Sequence, residues 1–303
     1  MLNKLVYITY QTFPAETANS IQTISNIKYF VKNEIEVDLY FPLREKGSDG
    51  SIDKLMDYYS VSETFNSIGV KHPYPHGRIK LFPALWFHIS HFLWSRKIIK
   101  NIIKKYVDNV YFMTRSDWVA FFLVKNNKKV VFECHQTSKL RNFIIKRIKN
   151  KENIKFIFLN SHLKTFYGDP PNAIVLQNGV DPELFKENKE GREKSSIVFV
   201  GNISRFKKTR GVEKIIEWFK DNEINSKFTL KIIGGPNKSL ETLNQAIQKN
   251  DVQNFVKLHG RLDRKKTINE IQKSSIGLLI NSKDNLHSYK YTSPLKYFEY
   301  LFG

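Results

Sequence analysis

The stretch SIVFVGNISRFKKTRGVEKIIEWFKDNEINSKFTLKIIGG, Ser196 to Gly235, reads as one strand, loop, helix and strand unit. Ser196 to Val200 is an apolar, β-branched run that stops at Gly201. Val212, Ile215, Ile216 and Phe219 then recur at the spacing of a helix with one buried face, and Phe228 to Ile233 is a second apolar run ending at Gly234-Gly235. Two strands joined by a crossover helix predict parallel pairing. The pattern continues with a helix marked by Leu240, Leu243 and Ile247, a strand from Phe255 to Leu258, a short helix from Thr267 to Ser274 and a fourth strand from Ile276 to Ile280.

The same alternation fills the N-terminal half. Lys4 to Tyr10 reads as a buried strand, Ile21, Ile24, Ile27, Phe30 and Val31 as a helix, and Glu36 to Phe41 as the next strand. Val110 to Met113, Val130 to Cys134, Ile154 to Leu159 and Ala173 to Gln177 are further strands, spaced widely enough for crossover helices. After Asn178-Gly179-Val180-Asp181, the charge-rich Lys186 to Lys194 reads as a surface linker. The expected fold class is α/β, with two Rossmann-like doubly wound domains, residues 1–180 and 181–303, facing a cleft; ligands in such sheets sit beyond the carboxyl ends of the strands.

A chain of 303 residues, 41% hydrophobic and 26% charged, can bury two cores and is not a disordered or collagenous polymer. No apolar run approaches the roughly 18 residues that a spanning helix needs. The single cysteine, Cys134, excludes an intramolecular disulfide and a thiolate zinc cluster, favours a reducing compartment, and is read as a small buried apolar residue. The net charge of +20 calls for an anionic partner: nucleic acid, an acidic membrane surface or a phosphorylated small molecule. The excess is spread over both halves rather than gathered in a basic tail, and no nucleic-acid-binding module is recognisable. His72, His76, His88 and His91 have no carboxylate or cysteine completing a ligand set, so neither a metal nor another cofactor is expected.

Three segments carry candidate chemistry. The loop Gly201 to Gly211 holds Arg205, Lys207, Lys208 and Arg210 at a strand's carboxyl end, which suits a diphosphate; a solvated basic loop is the alternative. Tyr291-Thr292-Ser293-Pro294-Leu295-Lys296-Tyr297-Phe298-Glu299 opens a helix with Ser or Thr at the N-cap and Pro at the first helical position, and Glu299 is placed to accept from a ribose diol or to sit on the surface. His135 directly follows a strand, either at an active-site edge or as a structural histidine. In addition, Phe82 to Trp94, followed by Arg96, Lys97, Lys100, Lys104 and Lys105, reads either as a core-facing helix with a solvated basic side or as a surface for an anionic bilayer.

Together with Asn178-Gly179-Val180-Asp181, these segments resemble the family 4 retaining glycosyltransferases of GT-B fold (glycosyl transferase group 1), which use sugar nucleotides to build polysaccharides and glycolipids. The resemblance covers nearly the whole chain: Ala18-Asn19-Ser20, Glu133-Cys134-His135, Phe199-Val200-Gly201, Ile232-Ile233-Gly234-Gly235, His259-Gly260 and Ser293 to Glu299. It implies that Arg205, Lys208, Arg210 and Ser293 hold the donor diphosphate, that Glu299 binds the donor ribose, and that His135 is the catalytic histidine of the first domain. Tyr291 stands where the family has the first of two glutamates and is the expected donor-sugar contact. Asn19-Ser20 replace a glycine pair, and Asn202 replaces an arginine. The family continues beyond Glu299 with further β-α units, so the chain reads as truncated, with an incomplete second domain and compromised stability or turnover.

The implied reaction moves a sugar with retention from a nucleotide-sugar donor to a glycan or lipid-linked acceptor in surface polysaccharide biosynthesis. No metal is required, no nucleic acid is expected, and the location is cytoplasmic, peripheral at the inner face of the membrane. The alternatives are an inactive nucleotide-sugar-binding remnant or partner subunit, and a basic nucleic-acid-binding protein.

Overall fold

A computed structural model describes residues 3–15, 17–45, 47–106, 110–185, 191–205, 208–280 and 286–303, the side chains of residues 204, 205, 208, 209, 237, 287 and 288 excepted. The chain divides into two compact units, Met1–Leu176 and Gln177–Gly303.

In the first unit, β1 (Lys4–Ile8), β2 (Glu36–Leu43), β3 (Asn66–Lys71), β4 (Tyr111–Thr114), β5 (Lys129–Cys134), β6 (Ile154–Phe158) and β7 (Ala173–Val175) form a parallel sheet. Their order is β3-β2-β1-β4-β5-β6-β7. Helices α1 (Ala18–Lys32), α2 (Ile52–Tyr59), α3 (Pro83–Lys105), α4 (Asp117–Lys125), α5 (Lys139–Ile148) and α6 (Ser161–Phe166) make the connections. Helix α1 starts where Thr17 Oγ1 accepts from the Ser20 N–H, and it buries Ile24 and Ile27. Central strands are covered on both faces, which is why β1 is apolar at consecutive positions. The strand order reverses between β1 and β4, so the loops that follow them diverge at the carboxyl edge.

The second unit is built from β8 (Glu193–Val200), the two-residue strands β9 (Ser204–Arg205) and β10 (Lys208–Thr209), β11 (Thr229–Ile233), β12 (Val256–Gly260) and β13 (Ser274–Leu278). Four of these strands pair in parallel in the order β12-β11-β8-β13, and β9 and β10 form an antiparallel ribbon. The helices are α7 (Val212–Trp218), α8 (Asn222–Asn225), α9 (Asn237–Lys249), α10 (Arg264–Lys273), α11 (Leu286–Lys290) and α12 (Leu295–Phe302). Phe199, Leu230 and Ile232 of the sheet bury against Val212, Ile216, Phe219, Leu243 and Ile247, the positions that recur at helical spacing in the sequence. At the carboxyl ends of β8 and β11 the backbones nearly touch: a Cβ on Gly234, whose φ is 152°, would lie 1.8 Å from Gly201 O. Of the expected linker Lys186 to Lys194, residues 186–190 lie outside the described residues, and Glu193 already opens β8.

The structure gathers three of the scattered histidines around Tyr10, just past β1. Tyr10 stacks on His91 at 4.4 Å, its hydroxyl is 2.7 Å from His72 Nε2, and His76 lies 6.4 Å away ring to ring. Arg44, just past β2, lies over the same ring, its guanidinium 4.9 Å from the ring centre. Burial pushes His91 down to about 3 and His72 to about 4 from 6.5, and the cation of Arg44 adds to both shifts. Both are therefore neutral in the folded chain, and the unfolded chain takes up their protons first as pH falls. Stability is full above pH 6.5 and declines below it; at about pH 5, His91 alone removes about 2 kcal/mol. Denaturant unfolding of the wild type at about pH 7.5 and 5 should show that loss, and His91→Phe should show a smaller one. An equal pH dependence in both chains would refute the linkage.

Candidate functional site

At the carboxyl edge of the first sheet, β4 delivers Arg115 and β5 delivers Glu133 and His135. Residues two apart on an extended strand share a side, so Glu133 and His135 emerge together. Arg115 grips Glu133 bidentately, Nε to Oε2 at 2.9 Å and Nη2 to Oε1 at 3.0 Å, with both side chains buried. Burial works to raise the Glu133 pKa, but Arg115 and then His135 hold it well below the usual carboxylate range. Glu133 is thus ionised and accepts only, so His135 Nε2, 2.7 Å from its Oε1, is the donor. Burial, reinforced by Arg115, lowers the His135 pKa against the opposing pull of Glu133. The imidazole is neutral near pH 7, with its proton on Nε2 and a lone pair on Nδ1.

A second buried pair fixes the loop after His135. Arg141 Nε donates to Asp117 Oδ1 at 2.5 Å, and its Nη1 donates to Gln136 O at 3.1 Å. The Tyr167 hydroxyl donates to the same carbonyl at 2.9 Å. Arg115 Nη1 also reaches Asn19 O at 3.3 Å, tying the start of α1 to this edge. Cys134 is buried, and burial pushes its thiol up to about 11, which agrees with a packing role rather than a reactive one.

In the second unit the basic segment is a short ribbon rather than an open loop. Arg205 pairs with Lys208 and Ser204 with Thr209. Buried Ile203 donates its N–H to Gly235 O at 3.0 Å and accepts from the Arg210 N–H at 3.0 Å, so the ribbon is rooted at the carboxyl edge of β11. The side chains of Arg205 and Lys208 and the whole of Lys207 lie outside the described residues. Arg210 donates from Nη2 to Ile280 O at 2.9 Å, just past β13. Arg261, just past β12, crosses the neighbouring turn: a Cβ on Gly235 would lie 3.0 Å from its Nε.

Beside this edge, Glu299 on α12 is 1% exposed. Arg264 Nη1 donates to its Oε1 at 2.5 Å, and Lys296 Nζ donates to its Oε2. Burial raises the Glu299 pKa, and Lys296 and Arg264 more than reverse this, so it stays ionised. The Tyr300 hydroxyl accepts from the Val200 N–H at 2.9 Å, and Tyr300 feels the charges of both Glu299 and Arg210, which places those two residues near one phenol. Tyr291 is half-buried just past α11.

Ser293 differs from its expected capping role. Pro294 is itself the N-cap of α12, without a side-chain cap. Ser293 Oγ instead accepts from the Asn178 N–H at 3.0 Å, and Asn178 Nδ2 donates to Ser293 O at 2.6 Å. A buried backbone N–H needs an acceptor, and Ser293 supplies it. The site residues missed in the sequence are Arg115, Glu133, Asp117, Arg141, Arg261 and Arg264. Arg115 follows β4 directly, Asp117 opens α4 behind its N-cap Ser116, and Arg264 follows the N-cap Asp263, which were available as signals. Among the described residues, no group of three or more His, Cys, Asp or Glu side chains could hold a metal ion.

No protein-family model matches the sequence, and no curated protein matches it. Solved structures match it over most of its length. A glycosyltransferase from Rickettsia africae has a TM-score of 0.63 and 18% identity, covering 91% of this chain and 72% of its own. Sucrose-phosphate synthase from Thermosynechococcus elongatus has a TM-score of 0.67 and 12% identity, covering 97% of this chain and 80% of its own. Anabaena HepE, solved in complex with UDP, has a TM-score of 0.59 and 14% identity, covering 88% of this chain and 71% of its own. At these identities the likeness is one of fold: the chain has the Rossmann-like α/β architecture of GT-B glycosyltransferases.

Proposed function

We propose that the chain is a retaining glycosyltransferase that takes a sugar from a nucleotide-sugar donor and passes it to a glycan or lipid-linked acceptor in surface polysaccharide biosynthesis. Residues 181–303 bind the donor and residues 1–180 serve the acceptor side. The observation that carries this reading is the edge of the second sheet, where Arg210 and Arg261 accompany an ionised carboxylate, Glu299. The UDP in the HepE complex supports a nucleoside diphosphate as the kind of ligand bound.

As the bond from the sugar to the diphosphate breaks, negative charge builds on the leaving oxygen. Arg205, Lys208 and Arg210, with Ser293, stabilise it in this reading. The departing phosphate takes the acceptor proton, so the first unit needs no strong base. A neutral His135 fits that scheme, because its Nδ1 lone pair can hold a sugar or acceptor hydroxyl in line. A carboxylate has about four acceptor sites. Glu299 uses one on each oxygen, and the ribose hydroxyls take the others once Arg264 swings aside. Tyr291 contacts the donor sugar. No metal, other cofactor or nucleic acid takes part. No described helix is long and apolar enough to cross a membrane, and the enzyme works as a soluble body at the cytoplasmic membrane face.

Thermal unfolding against UDP-, GDP- and CMP-sugars tests the donor. A ligand present at about 100 times its Kd stabilises the folded state by about 2.7 kcal/mol, which raises the midpoint by several degrees. One nucleotide class should do so, and a flat response to all three would reject the reading.

A further inference from the structure

Helix α3 turns one face into the first unit, where Trp94, Ile98, Ile99 and Ile102 are buried. Its opposite face changes character along its length. Leu81 and Phe82, which lead into the helix, and Leu85, Ile89 and Leu93 are between 37% and 67% exposed. Positions 82, 85, 89 and 93 follow helical spacing, so they share one side. The next positions on that side, Arg96, Lys97, Lys100 and Lys104, are exposed cations, and exposed Arg78 and Lys80 precede the helix. There is no Asp or Glu anywhere in α3.

We infer that this stripe is the docking surface for an anionic lipid bilayer. Its apolar half enters the boundary between headgroups and acyl chains, while its cationic half lies along the lipid phosphates. The inference extends the peripheral location proposed above by naming the face that makes the contact. Charge complementarity selects the occupant. A helix whose charged side chains are all cations, with no carboxylate to fix a register, matches a laterally uniform sheet of phosphates rather than a patterned protein surface. The placement also has a consequence for the acceptor. The buried side of the same helix carries His91, stacked on Tyr10 at the carboxyl edge of the sheet. A lipid-linked acceptor held under α3 is therefore about one helix diameter, about 10 Å, from that edge.

The test is co-sedimentation with vesicles of phosphatidylcholine alone or with about one-third phosphatidylglycerol, at low salt. Each cation near an anionic surface is worth about fivefold in partitioning. The wild type should bind the anionic vesicles, and Lys97→Glu/Lys100→Glu should bind them at least about thirtyfold more weakly. Leu81→Ser/Leu85→Ser should also weaken binding. All four positions are exposed, so the variants should keep the wild-type unfolding midpoint and the same nucleotide-sugar stabilisation. Equal binding by wild type and both variants, equal binding to neutral vesicles, or no binding by the wild type would overturn the docking surface. The nucleotide-sugar response of the same preparations judges the transferase reading separately, since loss of that response with vesicle binding intact leaves the surface standing.

Discussion

Glu133→Ala is expected to lower the stability of the first unit by about 3–5 kcal/mol, because it strands a buried guanidinium. Arg115 gives Glu133 two parallel hydrogen bonds, at 2.9 and 3.0 Å, in a site where both side chains are nearly free of solvent. The wild-type pair recovers in mutual attraction much of what burial removes. The variant keeps the desolvation of Arg115 and loses the partner that offset it. The effect extends to His135, whose Nε2 loses its acceptor. Removing both charges with Glu133→Leu/Arg115→Met should be milder than Glu133→Ala alone. Denaturant unfolding midpoints give the comparison, and a loss below about 1 kcal/mol in the single variant would show that the pair contributes little.

His135→Ala should slow sugar transfer about 100-fold or more while leaving nucleotide-sugar binding near its wild-type value. The distinction follows from where the residue sits. His135 belongs to the first unit, held by Glu133, whereas Arg210 and Glu299, proposed to bind the donor, belong to the second. Loss of Nδ1 removes an acceptor that orients a hydroxyl and removes nothing that holds the diphosphate. The pH profile adds a signature. Burial keeps the His135 pKa below 6.5, so wild-type transfer should be level above neutrality and fall in acid as the lone pair is protonated. In the variant, residual transfer should lack that acid limb. Equal turnover in the two chains, or a parallel loss of donor binding, would remove His135 from its role.

The sequence made the interior strands legible because burial on both faces leaves a run of apolar residues, as in β8 and β11. The outer strand β3, Asn66–Lys71, carried no such signal. Its Asn66 is spent on Asp38, at 2.6 Å, and its Gly69 leaves room for Leu43, whose Cδ2 would lie 2.6 Å from a Cβ there. The ribbon of β9 and β10 is too short for any periodicity to register. Similar limits applied to the site. His135 and Glu299 stood out through motif resemblance, yet Arg115 reaches Glu133 only because β4 and β5 are neighbours in the sheet. Arg264 lies 35 residues before Glu299 and meets it only through packing of α10 on α12. The Glu133–His135 pair was within reach, since a spacing of two at a strand end puts both on one side, but the sequence reading gave Glu133 no role beyond its place in the Glu133-Cys134-His135 run.

In the proposed function, cations at the carboxyl edge of the second sheet hold the phosphates of an activated sugar. The most direct measurement is a crystal structure of the chain with a nucleotide sugar bound. Diphosphate oxygens are expected within about 3 Å of nitrogens on Arg205, Lys208 or Arg210, with ribose hydroxyls on Glu299 and Arg264 displaced from it. A nucleotide bound away from that edge, with Glu299 still closed by Arg264 and Lys296, would contradict that function.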